Sequence, residues 1–364
     1  MYKTLDSTPR QDGFLMPGEF ESHLQTWMMW PERRDVWRED AKPAQNAFVE
    51  VASAIAEFEP VVILVSAAQF QNARQSLPAG VRLVEMSYND AWARDILPSF
   101  VTNGQGKTRL VDWDFNAWGG LVDGLYFPWD QDQLVGRKIA ELEGMDRYDA
   151  GHLVLEGGSF QVDGDGTLIT TEECLLSSGR NPDLTKDEIE ENLSLYLGVE
   201  KVIWLEKGID SEGTNGHVDN LCTFVRPGEL LVHWTEDRKH PHYEICQAAW
   251  NRLSDSIDAQ GRNFKLHKLP APSAMYRTSE DVTNIIEVEC TAALRIGDLL
   301  PASYINFYFV NGGVIMPAFG ETDKDAFGIL RDVFPGREIV PVRSAREILL
   351  GGGNVHCITQ QQPG

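Results

Sequence analysis

The sequence is short of several things at once. No apolar run approaches the ~18 residues that a membrane-spanning helix requires; the most concentrated patch is Val61–Val65. The opening stretch, MYKTLDSTPRQDG, is polar and lacks the basic-then-apolar order of a secretory leader. A cytoplasmic protein is therefore the simplest expectation. Basic residues are few: 32 Lys and Arg stand against 55 Asp and Glu, a formal charge of −23. A field of that sign disfavours nucleic acid and anionic membranes as partners and favours small cations, although it also serves plain solubility. Five cysteines (Cys174, Cys222, Cys246, Cys290 and Cys357) are widely spaced with no C-x-x-C. Neither a disulfide framework nor a thiolate metal site follows from that pattern, which leaves reduced thiols, one of them free to react.

What the sequence has is a recurring order of elements. Its 364 residues are 42% hydrophobic, enough for a sizeable core. Around 153–171, LVLEGGSFQVDGDGTLITT reads as two strands about a turn at 163–166. Thr185 and Glu188 then form a capping box that opens a helix ending at Gly198, and VEKVIWL follows as a buried strand. The same strand–strand–helix–strand order returns in VDNLCTF, ELLVHW, a helix over 241–258 and FKLHKL. It returns in SYINFYFV, VIMPAF, a helix near 324–334 and a strand near 338–343, and more weakly from PSFVT through a helix over 130–143. A fifth copy would be split across the chain: VHCITQQ pairs with TWMMW, before a helix over 44–58 and the strand VVILV. The expectation is a mixed α/β fold of five ββαβ units over 1–364, one catalytic domain, its ring closed by the N- and C-terminal strands. The alternative is an unsymmetric α/β sandwich.

Polar residues recur at one place in these units. Asp95 lies eight residues before Asn103, Glu156 seven before Asp163, and Asp219 eight before Pro227. Each falls near the start of a first strand, and Cys357 falls in the first strand of the split unit. Like positions in a closed ring converge near its axis, so one thiol and three carboxylates would share a cavity. Cys357 follows Gly351, Gly352 and Gly353, whose freedom allows backbone to approach a ligand closely. His356, next to it on a strand, would face the other way and make a poor partner.

His217 and Asp219 are two apart and on a strand would share a face. The pair suits acid–base work, a metal or a structural hydrogen bond; with no second histidine at ligand spacing, no metal is expected. Glu156, before two glycines in LEGGS, is weak alone and gains weight from its place in the repeat. In NDAWARD, Trp92 and Asp95 suit a planar cation, by stacking and by charge-assisted hydrogen bonds, while Arg94 reads as an ion-pair donor. Trp118 in FNAWGG extends that aromatic theme. Together these groups suit guanidinium chemistry: carboxylates clamp the cation, a thiolate attacks its carbon, and a histidine moves protons.

GGGNVHCITQQ at 351–361, TNGHVDN at 214–220, LEGGSF at 155–160, NDAWARD at 89–95 and FNAWGG at 115–120 closely resemble agmatine deiminase. So do DGFLMPGEFE at 12–21 and GLYFPWDQD at 124–132, and the resemblance covers essentially the whole chain. It implies the pentein fold, a five-bladed α/β propeller with pseudo-fivefold symmetry, and hydrolysis of agmatine to N-carbamoylputrescine and ammonia without metal or cofactor. It implies Cys357 as nucleophile, His217 as acid and base, Asp95 and Asp219 as guanidinium clamps and Glu156 in support, with Trp92, Trp118 and Gly352 lining the substrate. A homo-oligomer is also implied. One departure stands out: Gly213 precedes T-N-G-H where some relatives carry an acid, leaving Asp210 or Glu212 to contact the terminal amine. The rival expectations are a deiminase of arginine or peptidyl arginine, a Cys–His amidinotransferase, and a non-enzymatic polyamine-binding protein.

Overall fold

A computed structural model describes residues 2–209 and 213–364. The strand–strand–helix–strand order is realised in five separate sheets. Ser99–Thr102 runs antiparallel to Thr108–Asp114, the helix Val135–Glu143 crosses over, and Arg147–Val154 returns parallel to Thr108–Asp114. Phe160–Val162 and Thr167–Thr171, helix Lys186–Leu197 and Lys201–Leu205 repeat the pattern. So do Cys222–Arg226 and Glu229–Trp234, helix Tyr243–Ser254 and Lys265–Pro270. Tyr308–Val310 and Gly313–Pro317, helix Asp323–Val333 and Glu338–Val342 form another copy. The split unit exists as well: Gln360–Pro363 pairs antiparallel with His23–Met29, and after helix Lys42–Ala56 the strand Val61–Val65 returns parallel.

Local chemistry explains the boundaries. Thr185 accepts the Glu188 amide while the Glu188 carboxylate takes the Thr185 amide, and Gly198 at φ +74° ends the helix. Ile189, Leu193 and Leu197, spaced by four, are its buried stripe. All five residues of Val61–Val65 are buried, as befits a strand with parallel neighbours on both sides. Two additions went unread in the sequence: Arg82–Glu85 extends the split sheet and Thr4–Leu5 extends the sheet of Thr108–Asp114. Among the described residues no helix is long and apolar enough to cross a membrane.

The first strands are shorter than their apolar runs suggested, and the shortening matters. Leu153 and Val154 close the preceding unit's last strand, so the next unit begins only at Phe160. Likewise VDNLCTF becomes a strand at Cys222, SYINFYFV at Tyr308 and VHCITQQ at Gln360. A tight turn fills each gap. Ala93–Ile96, Gly157–Ser159 and Val218–Asn220 are single helical turns, and 355–358 is another turn. Cys357 and Asp219 thus sit in turns rather than in strands. A turn can aim a polar side chain inward where a strand would commit alternate residues to packing.

Candidate active site

The turns bring all the predicted chemical groups together. An added Cβ on Gly158 would lie 2.6 Å from His217 Nδ1 and 3.0 Å from both Asp219 Oδ2 and Asp95 Oδ1. That glycine therefore floors a gap that three functional side chains face. Its φ is unremarkable; the need is for close approach. Gly353 does the same beside the thiol, where a Cβ would meet Trp92 Cζ3 at 2.5 Å and Cys357 Sγ at 3.1 Å. Of the three consecutive glycines only Gly352 uses a left-handed backbone, at φ +109°.

Asp95 accepts the Gly158 amide at 2.8 Å and the Trp118 indole N–H at 2.9 Å. Trp118 reaches it from a turn in which Ala117 and Trp118 both hold positive φ, a costly conformation that the surrounding packing enforces. Trp92 packs edge-on to Trp118 at 6.5 Å and tilted against Trp37 at 5.4 Å. Burial raises the Asp95 pKa above the usual carboxylate range; His217 works against that rise, while the nearby charges of Asp219 and Glu156 add to it.

His217 does not pair with Asp219, as their spacing had suggested. Its Nδ1 lies 3.9 Å from Asp95 and its Nε2 3.8 Å from Glu156. The two share the space at Gly158, as a common face implies, but each finds its charged partners elsewhere. Burial opposes a charge on His217, but Asp95, Cys174 and Glu156 outweigh it and hold the imidazole well above its ordinary value. Glu156 is fully buried, yet Arg180 and then His217 overcome the cost of burial and hold its carboxyl at about 2. Arg180 Nε donates to Glu156 at 2.6 Å, and the same guanidinium reaches the carbonyls of Trp118 and Thr214. The sequence offered no sign of this role, because Arg180 lies in a plain loop.

Asp219 is held from behind. Its Oδ2 accepts from His356 Nδ1 at 2.9 Å and from Asn306 Nδ2 at 3.1 Å, and the Cys357 thiol lies 3.5 Å away. His356 thus backs Asp219 rather than the thiol, and it does so from the turn at 355–358 rather than from a strand. Its Nε2 meets the Glu19 carboxylate at 2.9 Å, and Glu19 in turn pairs with Arg94 at 3.1 Å. Burial and Arg94 work against a proton on His356, but Glu19 and Asp219 prevail and raise its pKa.

Asn306 donates to Cys357 Sγ at 3.2 Å. It precedes the first strand of its unit, Tyr308–Val310, as Asp95, Glu156, Asp219 and Cys357 precede the first strands of theirs. The repeat marks its place, but an uncharged amide gives no sign of chemistry in sequence. Burial, reinforced by Asp219 and Asp95, pushes the Cys357 thiol well above its ordinary range, and Asn354 and Asn306 only partly offset this.

A cavity opens beside the site, walled by Trp92, Trp118, Tyr126, Gly213 and Gly352, with Asp90 and Asp298 in its lining. Its wall stops short of Cys357, which is only 7% exposed. Asp210 and Glu212, the sequence candidates for a terminal-amine contact, lie outside the described residues. Donor atoms suited to a metal occur together in one place among the described residues, on Glu156, Cys174 and His217. The His217–Asp219 pair is not among them.

Comparison with known proteins places this geometry. Residues 15–363 match the family model of the Porphyromonas-type peptidyl-arginine deiminases. The chain is 55% identical to an agmatine deiminase of Pseudomonas aeruginosa (strain LESB58), over 98% of this chain and 97% of that one. It is 54% identical to an agmatine deiminase of Pseudomonas fluorescens (strain SBW25), over 99% and 98%. A solved structure of the agmatine deiminase of Enterococcus faecalis superposes with a TM-score of 0.97 at 53% identity, covering 100% of this chain and 99% of that one. With family-wide similarity along nearly its entire length, the chain belongs to the Porphyromonas-type peptidyl-arginine deiminase family and stands beside that family's agmatine deiminases.

Proposed function

We propose that this protein hydrolyses agmatine to N-carbamoylputrescine and ammonia through a covalent adduct on Cys357. The observation that carries the reading is the convergence on Gly158: His217, Asp95 and Asp219 all face a space that any side chain at this position would invade. A flat guanidinium fits such a gap, with Asp95 and Asp219 accepting its N–H groups and Trp92 covering its face. Lone pairs remain for this on Asp95, whose two oxygens each accept one hydrogen bond from the protein.

The thiol of the free enzyme is neutral, and the arriving cation lowers the cost of ionising it. The thiol gives its proton to solvent, and the thiolate attacks the guanidinium carbon, forming the C–S bond as the C=N π pair moves onto nitrogen. Protonated His217 gives its proton to the departing nitrogen, the C–N bond breaks, and ammonia leaves. Neutral His217 then takes a proton from water, which attacks the same carbon. The C–S bond breaks, the ureido product leaves, and Cys357 is restored. Glu156, fixed in its ionised form, steadies the charge on His217 through both steps. The substrate tail runs into the neighbouring cavity, where Asp35, Asp90 and Asp298 outnumber Arg33 and Arg277.

The five sheets further support a five-bladed α/β propeller of the pentein type, a single domain over 1–364 with the terminal strands as its clasp. Cytoplasmic operation is supported by five cysteines that are all free thiols. A homo-oligomeric assembly is part of the same proposal, and light scattering of the purified protein tests it.

Ammonia release with agmatine and arginine in parallel, with intact mass spectrometry of the acid-quenched enzyme, tests the reaction. Agmatine-dependent ammonia and an amidino adduct on Cys357 are expected. Turnover of arginine alone would overturn the substrate, and transfer of the amidino group to an added amine would make the protein a transferase.

A further inference from the structure

Glu156, Cys174 and His217 each present a donor atom, and the three atoms lie within 4.8 Å of one another. All three residues are buried, at 0%, 0% and 1% exposure. Two of the atoms, Glu156 Oε2 and His217 Nε2, have no hydrogen-bond partner among the described residues, although they face each other at 3.8 Å. Buried polar atoms are usually satisfied, so two such atoms beside a thiol point to a shared ligand. In the protonated state His217 faces both Cys174 and Glu156, so a metal must displace that proton. A cation serves all of them.

The donor set narrows which cation. Thiolate, imidazole and carboxylate are the ligands that zinc takes, whereas Mg2+ and Ca2+ prefer oxygen alone. Tetrahedral zinc bonds of ~2.1 Å hold nitrogen and oxygen ligands about 3.4 Å apart, so the His217–Glu156 pair needs to close by only a few tenths of an ångström. The outer shell also fits. His217 turns its other nitrogen toward Asp95, the carboxylate-behind-histidine arrangement that orients metal-bound imidazoles. Arg180 holds Glu156 through Oε1 and leaves Oε2 facing His217; its charge weakens the site but does not block it.

We infer that Glu156, Cys174 and His217 form an inhibitory site for a thiophilic divalent cation, Zn2+ above all. The binding stands on the geometry alone. The inhibition rests on the proposed function, in which His217 must carry a proton that a bound metal would displace. Binding draws on a deprotonated thiol and imidazole, so it strengthens as pH rises.

Titration of the chelator-treated full chain with Co2+, followed by competition with Zn2+, tests this. A thiolate-to-Co2+ charge-transfer band at one equivalent is expected in the wild type, abolished by Zn2+. The band should persist in Cys357→Ser and vanish in Cys174→Ser, with at least a tenfold loss of Zn2+ affinity. No band in the wild type overturns the site. A band lost in Cys357→Ser also overturns it, by putting the metal on the other cysteine, and that result does not depend on Cys174→Ser folding. In parallel, Zn2+ should suppress agmatine-dependent ammonia release by the wild type. Full activity with the metal bound would refute the inhibition. Absence of any ammonia release without zinc would sink the proposed function and leave the metal result standing.

Discussion

Two flanks of the site solve the same problem differently. On one, Glu156 is buried against Arg180 in direct contact, and its carboxyl is locked as an anion at about 2. On the other, Asp219 is backed by His356, then Glu19, then Arg94, a chain of alternating charge. A guanidinium on a carboxylate gives a fixed charge, because neither partner titrates near neutrality. A histidine between two carboxylates gives a charge that its surroundings can adjust. The fixed flank adjoins His217, and the adjustable flank adjoins the Cys357 thiol. In the proposed reaction, charge is thus pinned where it must persist through the cycle, and left responsive where a thiol must change state.

The largest test of this division removes the nucleophile. Cys357→Ser should lower kcat by ~10⁴-fold or more while calorimetry still detects agmatine binding, since the clamp is intact. Residual wild-type turnover would take Cys357 out of the reaction. Arg180→Met strikes the fixed flank by leaving Glu156 as an uncompensated buried charge, with an expected stability loss of about 3–5 kcal/mol in denaturant melts. The double variant Arg180→Met with Glu156→Gln should recover part of it, and no recovery would mean that Arg180 acts elsewhere.

Gly158→Ala fills the gap shared by both flanks. It should cost roughly 10²-fold in kcat/KM with little change in melting temperature, because a misplacement on the scale of 1 Å is enough to spoil alignment. Smaller still is Asn306→Ala on the responsive flank. Loss of its hydrogen bond to Cys357 should raise the thiol pKa further and slow alkylation by iodoacetamide, by about tenfold per pKa unit at fixed pH. An unchanged rate would show that Asn306 serves Asp219 alone. Finally, Glu156 and Glu19 both titrate at about 2 in the folded protein against an ordinary 4.5. Their depressed values favour the ionised, folded state, so the stability they contribute is full above pH ~4.5 and fades as pH falls toward 2. Acid melts that show no loss across that window would separate these pairs from stability.

Much of the fold could be read from the sequence because the helices and middle strands obey local rules. The Thr185 capping box and the VVILV strand lie where their side chains dictate. The starts of the first strands could not be read, since β-branched runs such as VDNLCTF look extended while their polar members are busy in a turn. That is the error that put His356 and Cys357 on a strand. Asp95, Glu156, His217 and Asp219 were legible through the repeat and the glycines beside them. Arg180, Cys174 and Glu19 were not, for their contacts join segments far apart in sequence and leave no local trace.

The clasp between Gln360–Pro363 and His23–Met29 has a consequence for biosynthesis. Trp27 donates to Gln362 across 335 positions of sequence. A ribosome therefore makes one edge of that sheet near the beginning and its partner only after Cys357. Throughout elongation the early strand waits with one edge unpaired, a template for wrong partners that long-range pairing is slow to cover. The same delay keeps Cys357 from Asp219 and Asn306 until the last turn has been made.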